Sequence, residues 1–186
     1  MNRRVLGTLL VLNAFVSAAC GSSDVKPSVG KTTTPPATSK PGDVDPNSAF
    51  VSLAGYTYSD LPAEVQAEAR AGLESDPEAK KYITGFAMKA VSKDGEGVAV
   101  LMSVALNPMI GALIGAVRDQ MAQGMAEGTG STPVPFKLAG RNVFFLDDVG
   151  GVPGIMWDQA SMVLAVIGSE RASLEVIATL VIQGLR

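Results

Sequence analysis

A stretch of twenty residues without a charge, residues 98–117, constrains the fold of this chain more than any other feature. Its length meets the criterion for a membrane-spanning helix, and it contains the Gly-x-x-x-Gly spacing used where membrane helices pack. Asn107 and Pro108 interrupt it, and these residues are favoured at the N-cap and at the first helical position. We therefore predict a strand that ends near Leu106 and a helix that starts at Pro108, rather than a membrane span.

The rest of the domain shows alternating strand and helix signals. Asp94-Gly95 supplies the positive-φ residues of a tight turn, so the strands on either side of it should form a hairpin. Six strands are predicted, over 82–91, 97–106, 136–139, 142–146, 155–157 and 162–167. Three helices are predicted: one over 60–75, one that starts at Pro108, and a final one that follows Ser169 as its N-cap. The predicted class is α+β: an antiparallel sheet of about five or six strands with two long helices on one face, plus an N-terminal helix.

The first twenty residues have the order of a secretory signal. Arg3 and Arg4 precede an apolar run, which is followed by small residues and Cys20. The segment Ser17-Ala18-Ala19-Cys20 resembles the lipobox of bacterial lipoproteins, although Ser17 stands where that family prefers Leu, Val or Ile. The resemblance implies that residues 1–19 are removed, that Cys20 is diacylated, and that lipid holds the protein on a membrane. Ordinary signal cleavage before Cys20, which would release a soluble secreted protein, uses the same small residues.

A linker follows the cysteine. Residues 20–48 contain five of the eleven prolines and many Ser and Thr, but almost no large apolar side chain. Such a composition cannot bury enough surface to offset the entropy of ordering, so we predict a disordered tether.

Residues 49–186 are predicted to form a single domain, because no second linker divides them. Loss of Arg3 and Arg4 with the signal moves the formal charge from −3 to −5. A mildly acidic domain without a cluster of Lys and Arg argues against nucleic acid as a partner.

The composition also argues against catalysis. The chain has no histidine, and its single cysteine belongs to the predicted anchor, which removes the usual general base, thiol nucleophile and metal ligands. Asp147, Asp148 and Asp158 lack the alternating spacing of a calcium loop, and the glycines at 150–154 lack the Lys-Ser/Thr ending of a phosphate loop. We therefore expect no enzyme activity, no cofactor and no metal.

Two weaker binding features remain. Trp157 is the single tryptophan and could anchor a partner, although packing in the last hairpin explains it as well. Methionines adapt to irregular apolar ligands, and the glycines of the predicted Pro108 helix leave room for a cavity between helix and sheet. The residues that would line such a cavity are Met102, Ile110, Leu113, Met156 and Val166.

These observations predict an extracytoplasmic protein that is lipid-anchored to the cell membrane through Cys20. Its domain would be a non-catalytic binding or interaction module for an unknown partner in the cell envelope. The alternative is a carrier or sensor of an apolar ligand such as a lipid.

Overall fold

The computed structural model describes residues 44–74, 80–127 and 129–185. Cys20, the predicted signal peptide and the tether up to residue 43 lie outside these residues. The strands are β1 (Thr57–Asp60), β2 (Ile83–Lys93), β3 (Glu96–Leu106), β4 (Val134–Leu138), β5 (Arg141–Leu146), β6 (Gly154–Gln159) and β7 (Met162–Gly168). The α-helices are α1 (Ala63–Glu74), α2 (Ile114–Glu127) and α3 (Arg171–Gly184), and there are 3-10 helices at Pro46–Ala49 and Pro108–Leu113.

All seven strands in the described part of the chain form one antiparallel sheet, in the order β1-β2-β3-β7-β6-β5-β4. The chain builds β2 and β3 as a hairpin, crosses to the far edge at β4, and returns strand by strand to β7. β3 and β7 therefore pair at the centre, although some 55 residues separate their positions in the sequence. The predicted α+β class with an antiparallel sheet is confirmed, with seven strands where about five or six were expected.

Edge strand β1 accounts for part of that difference. It pairs with the end of β2, with Thr57 opposite Ser92. Of its four residues only Tyr58 is partly buried, so the segment lacks the apolar alternation by which a strand is recognised. Asp60, the first residue of the predicted helix over 60–75, is instead the last residue of β1, and α1 begins at Ala63.

The helices cover both faces of the sheet, whereas the sequence predicted two long helices on one face. α3 packs on the face that carries Leu101 and Val166, which we call the α3 face. α1 and α2 pack on the face that carries Met102 and Ala165, which we call the α1/α2 face. The physical reason is that β3 and β7 are apolar on both sides, because successive strand residues point to opposite faces. Helices on one side alone would leave an apolar surface in water.

The division at Asn107-Pro108 lies where it was predicted. β3 ends at Leu106, and the Asn107 side-chain oxygen accepts a hydrogen bond from the Met109 amide at 3.0 Å. The chain then forms the 3-10 helix Pro108–Leu113 before α2 begins at Ile114, so the α-helix starts six residues later than expected. Among the described residues, no helix combines the length and the apolar character that crossing a bilayer requires.

The final helix also begins slightly later than predicted. Glu170, rather than Ser169, is the N-cap residue, and its side chain makes no capping hydrogen bond. α3 is held instead by burial, because five of its side chains are fully covered. They are Leu174, Ile177, Ala178, Val181 and Ile182.

The strands give the domain two distinct ends. At one end β2 begins after Tyr82, β3 finishes, and the turn at Ala160-Ser161 joins β6 to β7; we call it the Tyr82 end. The amide of Asn107 donates to the Tyr82 carbonyl at 2.8 Å, and the Leu106 amide donates to the Ser161 carbonyl at 2.9 Å. The opposite end contains the Asp94-Gly95 turn and the start of α3, and we call it the Asp94 end.

Candidate functional site

The strongest site residue in the sequence, Cys20, lies outside the described residues. The structure does define where the chain enters the domain. Asp45 caps the 3-10 helix Pro46–Ala49 by accepting from the Asn47 amide at 2.9 Å. Pro46 packs directly over Gly85, where an added Cβ would lie 2.9 Å from the Pro46 Cδ. The first described residues, which come five positions before the predicted domain start, therefore sit against the sheet close to the Tyr82 end.

The five residues predicted to line an apolar-ligand cavity do not meet in the folded domain. Met102 and Met156 are buried on the α1/α2 face, and Ile110 packs against them partly buried. Val166 lies on the α3 face, with the sheet between it and the two methionines. Leu113 is 56% exposed in the turn before α2. Three of the five thus share one face, and the other two point elsewhere.

The structure contains a small cavity of about 60 Å³ between α1 and the start of β2. Arg70, Leu73 and Glu74 line it from the helix, and residues 83–86 line it from the strand. Pockets for drug-sized ligands usually have volumes of some 300–1,000 Å³. A space of this size can hold a few water molecules but no lipid chain.

Trp157 is fully buried on the α3 face. Its neighbours are the apolar side chains of the central strands and of α3, and its indole nitrogen makes no hydrogen bond in the described part of the protein. This position corresponds to packing in the last hairpin, which was one of the two roles predicted for Trp157, rather than to a partner anchor. A partner would have to displace α3 to reach the ring.

An ion-pair network links α2 to the sheet, and sequence reasoning did not anticipate it. The Arg118 side chain is 14% exposed, and its Nη1 lies 2.6 Å from Asp158 Oδ1 in β6. Its Nε donates to Asp119 Oδ1 at 2.8 Å, and its guanidinium stacks 5.0 Å from the centre of the Phe144 ring in β5. Arg118 and Asp158 are 40 residues apart in sequence, so no local spacing could reveal the pair.

Two of the three acidic residues near the glycine-rich loop, Asp148 and Asp158, are engaged by other groups of the domain. Asp148 accepts from the Gly151 amide at 2.6 Å, which shapes the turn, and Asp158 belongs to the Arg118 network. Within residues 44–74, 80–127 and 129–185, no group of three or more acidic, histidine or cysteine side chains is arranged to hold a metal ion.

The most unusual surface feature is apolar. None of the six residues of the 3-10 helix Pro108–Leu113 is buried, and Met109 is 93% exposed. Tyr82, which is hydrogen-bonded through its backbone to Asn107, adds a third large exposed side chain beside Leu113 and Met109. The sequence signal was present, because apolar residues surround the predicted helix start on every side. Its spacing led us to predict that Ile110 and Leu113 line a cavity between helix and sheet.

Comparison of the chain with protein-family models, with curated proteins and with solved structures finds no match.

Proposed function

We propose that this protein is a lipid-anchored component of a bacterial cell envelope, and that its α+β domain is a non-catalytic binding module. The observation that carries the proposal is the segment Ser17–Cys20, which follows a basic and then an apolar stretch, as in the lipoprotein signal that it resembles. Two acyl chains on one cysteine bind a membrane stably, whereas a single chain gives marginal binding.

The position of the domain in the chain supports this proposal. The described residues begin at Val44, and residues 21–43 lie between them and Cys20. A chain of that length reaches about 70 Å if it is extended at about 3.1 Å per residue, and about 25–30 Å as a flexible coil. A module on such a connection can search the space around its anchor for a partner in the envelope.

The chemistry of the described side chains supports a binding role over a catalytic one. The chain has no histidine, and the carboxylates of Asp148 and Asp158 are engaged by a backbone amide and by Arg118. A general acid or base needs a group near a substrate with a pKa near the working pH. The module would act through its shape and surface, with no cofactor.

Intact-mass analysis of the protein from membranes of a bacterial host with a lipoprotein pathway tests the anchor. We expect a mature chain that begins at Cys20 and carries diacylglycerol, and we expect Cys20→Ala to lose both the added mass and membrane retention. Ser17→Leu, which brings the signal closer to the lipoprotein pattern, is the matched control and should remain acylated. An unmodified chain that begins at Cys20 and is found in the medium would overturn the anchor.

Native mass spectrometry of the same preparation distinguishes the proposed binding module from the alternative, a carrier of apolar ligands. A module should show the mass of the acylated chain alone once detergent is removed. A second, stoichiometric lipid that survives in Cys20→Ala would show that the domain is a carrier.

A further inference from the structure

We propose that the exposed apolar turn at the Tyr82 end inserts into the lipid bilayer and docks the domain on the membrane that holds Cys20. The turn consists of residues 108–113 together with Tyr82. The proposal rests on the lipid anchor proposed above and adds a second, reversible membrane contact to it.

The exposure of the turn is the first argument. Met109, Leu113 and Tyr82 are 93%, 56% and 38% exposed, and the chain carries no charge over residues 98–117. Large exposed apolar side chains that lie close together on a domain usually mark a protein or membrane contact. Here the exposed side chains project from a short turn rather than lining a groove, which is the shape expected for insertion among lipid head groups.

The position of the turn is the second argument. Pro46 lies over Gly85, and Ser48 reaches Met162, whose register partner is Ala105 near the end of β3. The chain that leads back to Cys20 therefore departs from the same end of the sheet at which the apolar turn lies. A domain held by that chain presents this end to the bilayer more readily than the opposite end.

The charge distribution is the third argument. The Asp94 end carries Lys93 and Arg171 against six acidic residues, which are Asp94, Glu96, Glu127, Asp147, Asp148 and Glu170. At the Tyr82 end, Lys80 lies 3.6 Å from Glu74, so that this basic residue is balanced by an acidic one, and Lys81 adjoins Tyr82 in sequence. Anionic lipid attracts basic and repels acidic groups within about a Debye length. Repulsion of the acidic Asp94 end thus favours the Tyr82 end, with its exposed apolar turn, as the end that faces an anionic membrane.

Tryptophan fluorescence tests the insertion directly. The mature chain, which begins at Cys20, is coupled through this single thiol to maleimide-bearing phospholipid in vesicles of phosphatidylcholine and phosphatidylglycerol. Coupling by chemistry makes the test independent of acylation in cells, so failure of the lipid anchor and failure of this docking are distinguishable. The buried Trp157 supplies a constant background.

In Met109→Trp we expect a blue-shifted emission on vesicles and quenching of at least half of the added signal by brominated lipid. The matched control is Val176→Trp, which replaces another exposed apolar residue (49% exposed) on α3 and should show neither effect. A double change, Met109→Ser with Leu113→Ser, should weaken the binding of uncoupled Cys20→Ala chain to the same vesicles by well over tenfold, because burying each apolar side chain contributes more than a factor of ten.

Three results would overturn the proposal. The Met109→Trp signal could stay unquenched on vesicles, or Val176→Trp could be quenched equally, which would indicate unspecific collapse onto lipid. A blue shift that depends on protein concentration without vesicles would show that the turn binds a second copy of the chain instead. Sedimentation equilibrium of the Cys20→Ala chain measures that last outcome independently.

Discussion

The two faces of the sheet are covered to very different depths. On the α3 face, one helix buries five side chains completely, and Trp157 is fully buried beneath it. On the α1/α2 face, α2 buries Ile114 and two alanines, and α1 buries Val65 alone. The same sheet thus supports a dense core on one side and a shallower one on the other.

The composition of the two faces explains the difference. The buried cluster of the α3 face consists mainly of Leu, Ile, Val and Ala with one tryptophan and one methionine, Met162, and its branched or rigid side chains fill space in few conformations. The shallower face contains five methionines that are buried or partly buried, at positions 88, 102, 121, 125 and 156. Methionine is flexible and tolerates irregular packing, so α1 and α2 can shift at lower cost than α3. We infer that stability resides mainly on the α3 face.

Removing the indole from the α3 face should have the largest effect. Trp157→Ala is expected to lower the free energy of unfolding by about 3–5 kcal/mol, because it removes a fully buried aromatic ring and leaves a cavity. Urea unfolding followed by circular dichroism measures this. Val176→Ala, on the exposed side of α3, is the control and should change stability by about 0.5 kcal/mol or less. A loss below about 1 kcal/mol for Trp157→Ala would place the main core elsewhere.

A pair of helix substitutions compares the faces directly. Ile177→Ala in α3 should cost about 2–4 kcal/mol, whereas Val65→Ala in α1 should cost about 1 kcal/mol, because Val65 is smaller and is the one buried residue of its helix. Native-state hydrogen exchange should show the same order, with α1 amides exchanging through local opening and α3 amides through global unfolding. Equal costs, or equal protection of the two helices, would contradict the comparison.

The Arg118 ion pairs should stabilise the packing of α2 on the sheet and so compensate in part for the few buried side chains of this helix. Because both partners are less than one-third exposed and the guanidinium also stacks on Phe144, we expect a coupling of about 1–2 kcal/mol between Arg118 and Asp158. A double-mutant cycle with Arg118→Met and Asp158→Asn measures it. Arg118→Lys should recover little of the loss, since Lys lacks the planar fork that reaches two carboxylates. If Arg118→Lys restored all of the lost stability, the positive charge alone, and not the shape of the guanidinium, would account for the coupling.

The last expected effect is a pH dependence on the α3 face that is confined to alkaline solution and is absent at neutral pH. Burial raises the pKa of Tyr58 to about 12 from an ordinary 10.0, because desolvation disfavours the phenolate. As the pH rises, the unfolded chain therefore loses this proton before the folded chain does. The contribution of Tyr58 to the free energy of unfolding is fully present below pH 10 and is lost as the pH rises from about 10 to 12. Absorbance titration of the tyrosines, compared with Tyr58→Phe, isolates the group. A Tyr58 titration centred at the ordinary value of 10.0 would contradict the assignment.

Local signals in the sequence predicted most of the elements. The turn at Asp94-Gly95 has φ values of 53° and 87°, as the residue types require, and the break at Asn107-Pro108 separates a strand from a helical segment. Edge strand β1 escaped prediction because its side chains are mostly exposed. The five proposed cavity residues were grouped by chemistry, and the sheet separates Val166 from the two methionines.

The sequence by itself determined the positions of turns such as Asp94-Gly95 and of the break at Asn107-Pro108. It also carries the lipoprotein-like segment at Cys20, on which the proposed anchor depends. These features depend on backbone preferences and composition within a few residues, which need no knowledge of the fold. The tertiary structure alone decided that α2 and α3 cover opposite faces, that Trp157 is buried, and that Met109 is exposed. The physical reason is that burial depends on which strands become neighbours, and the pairing of β3 with β7 joins residues too distant in sequence for any local pattern to specify.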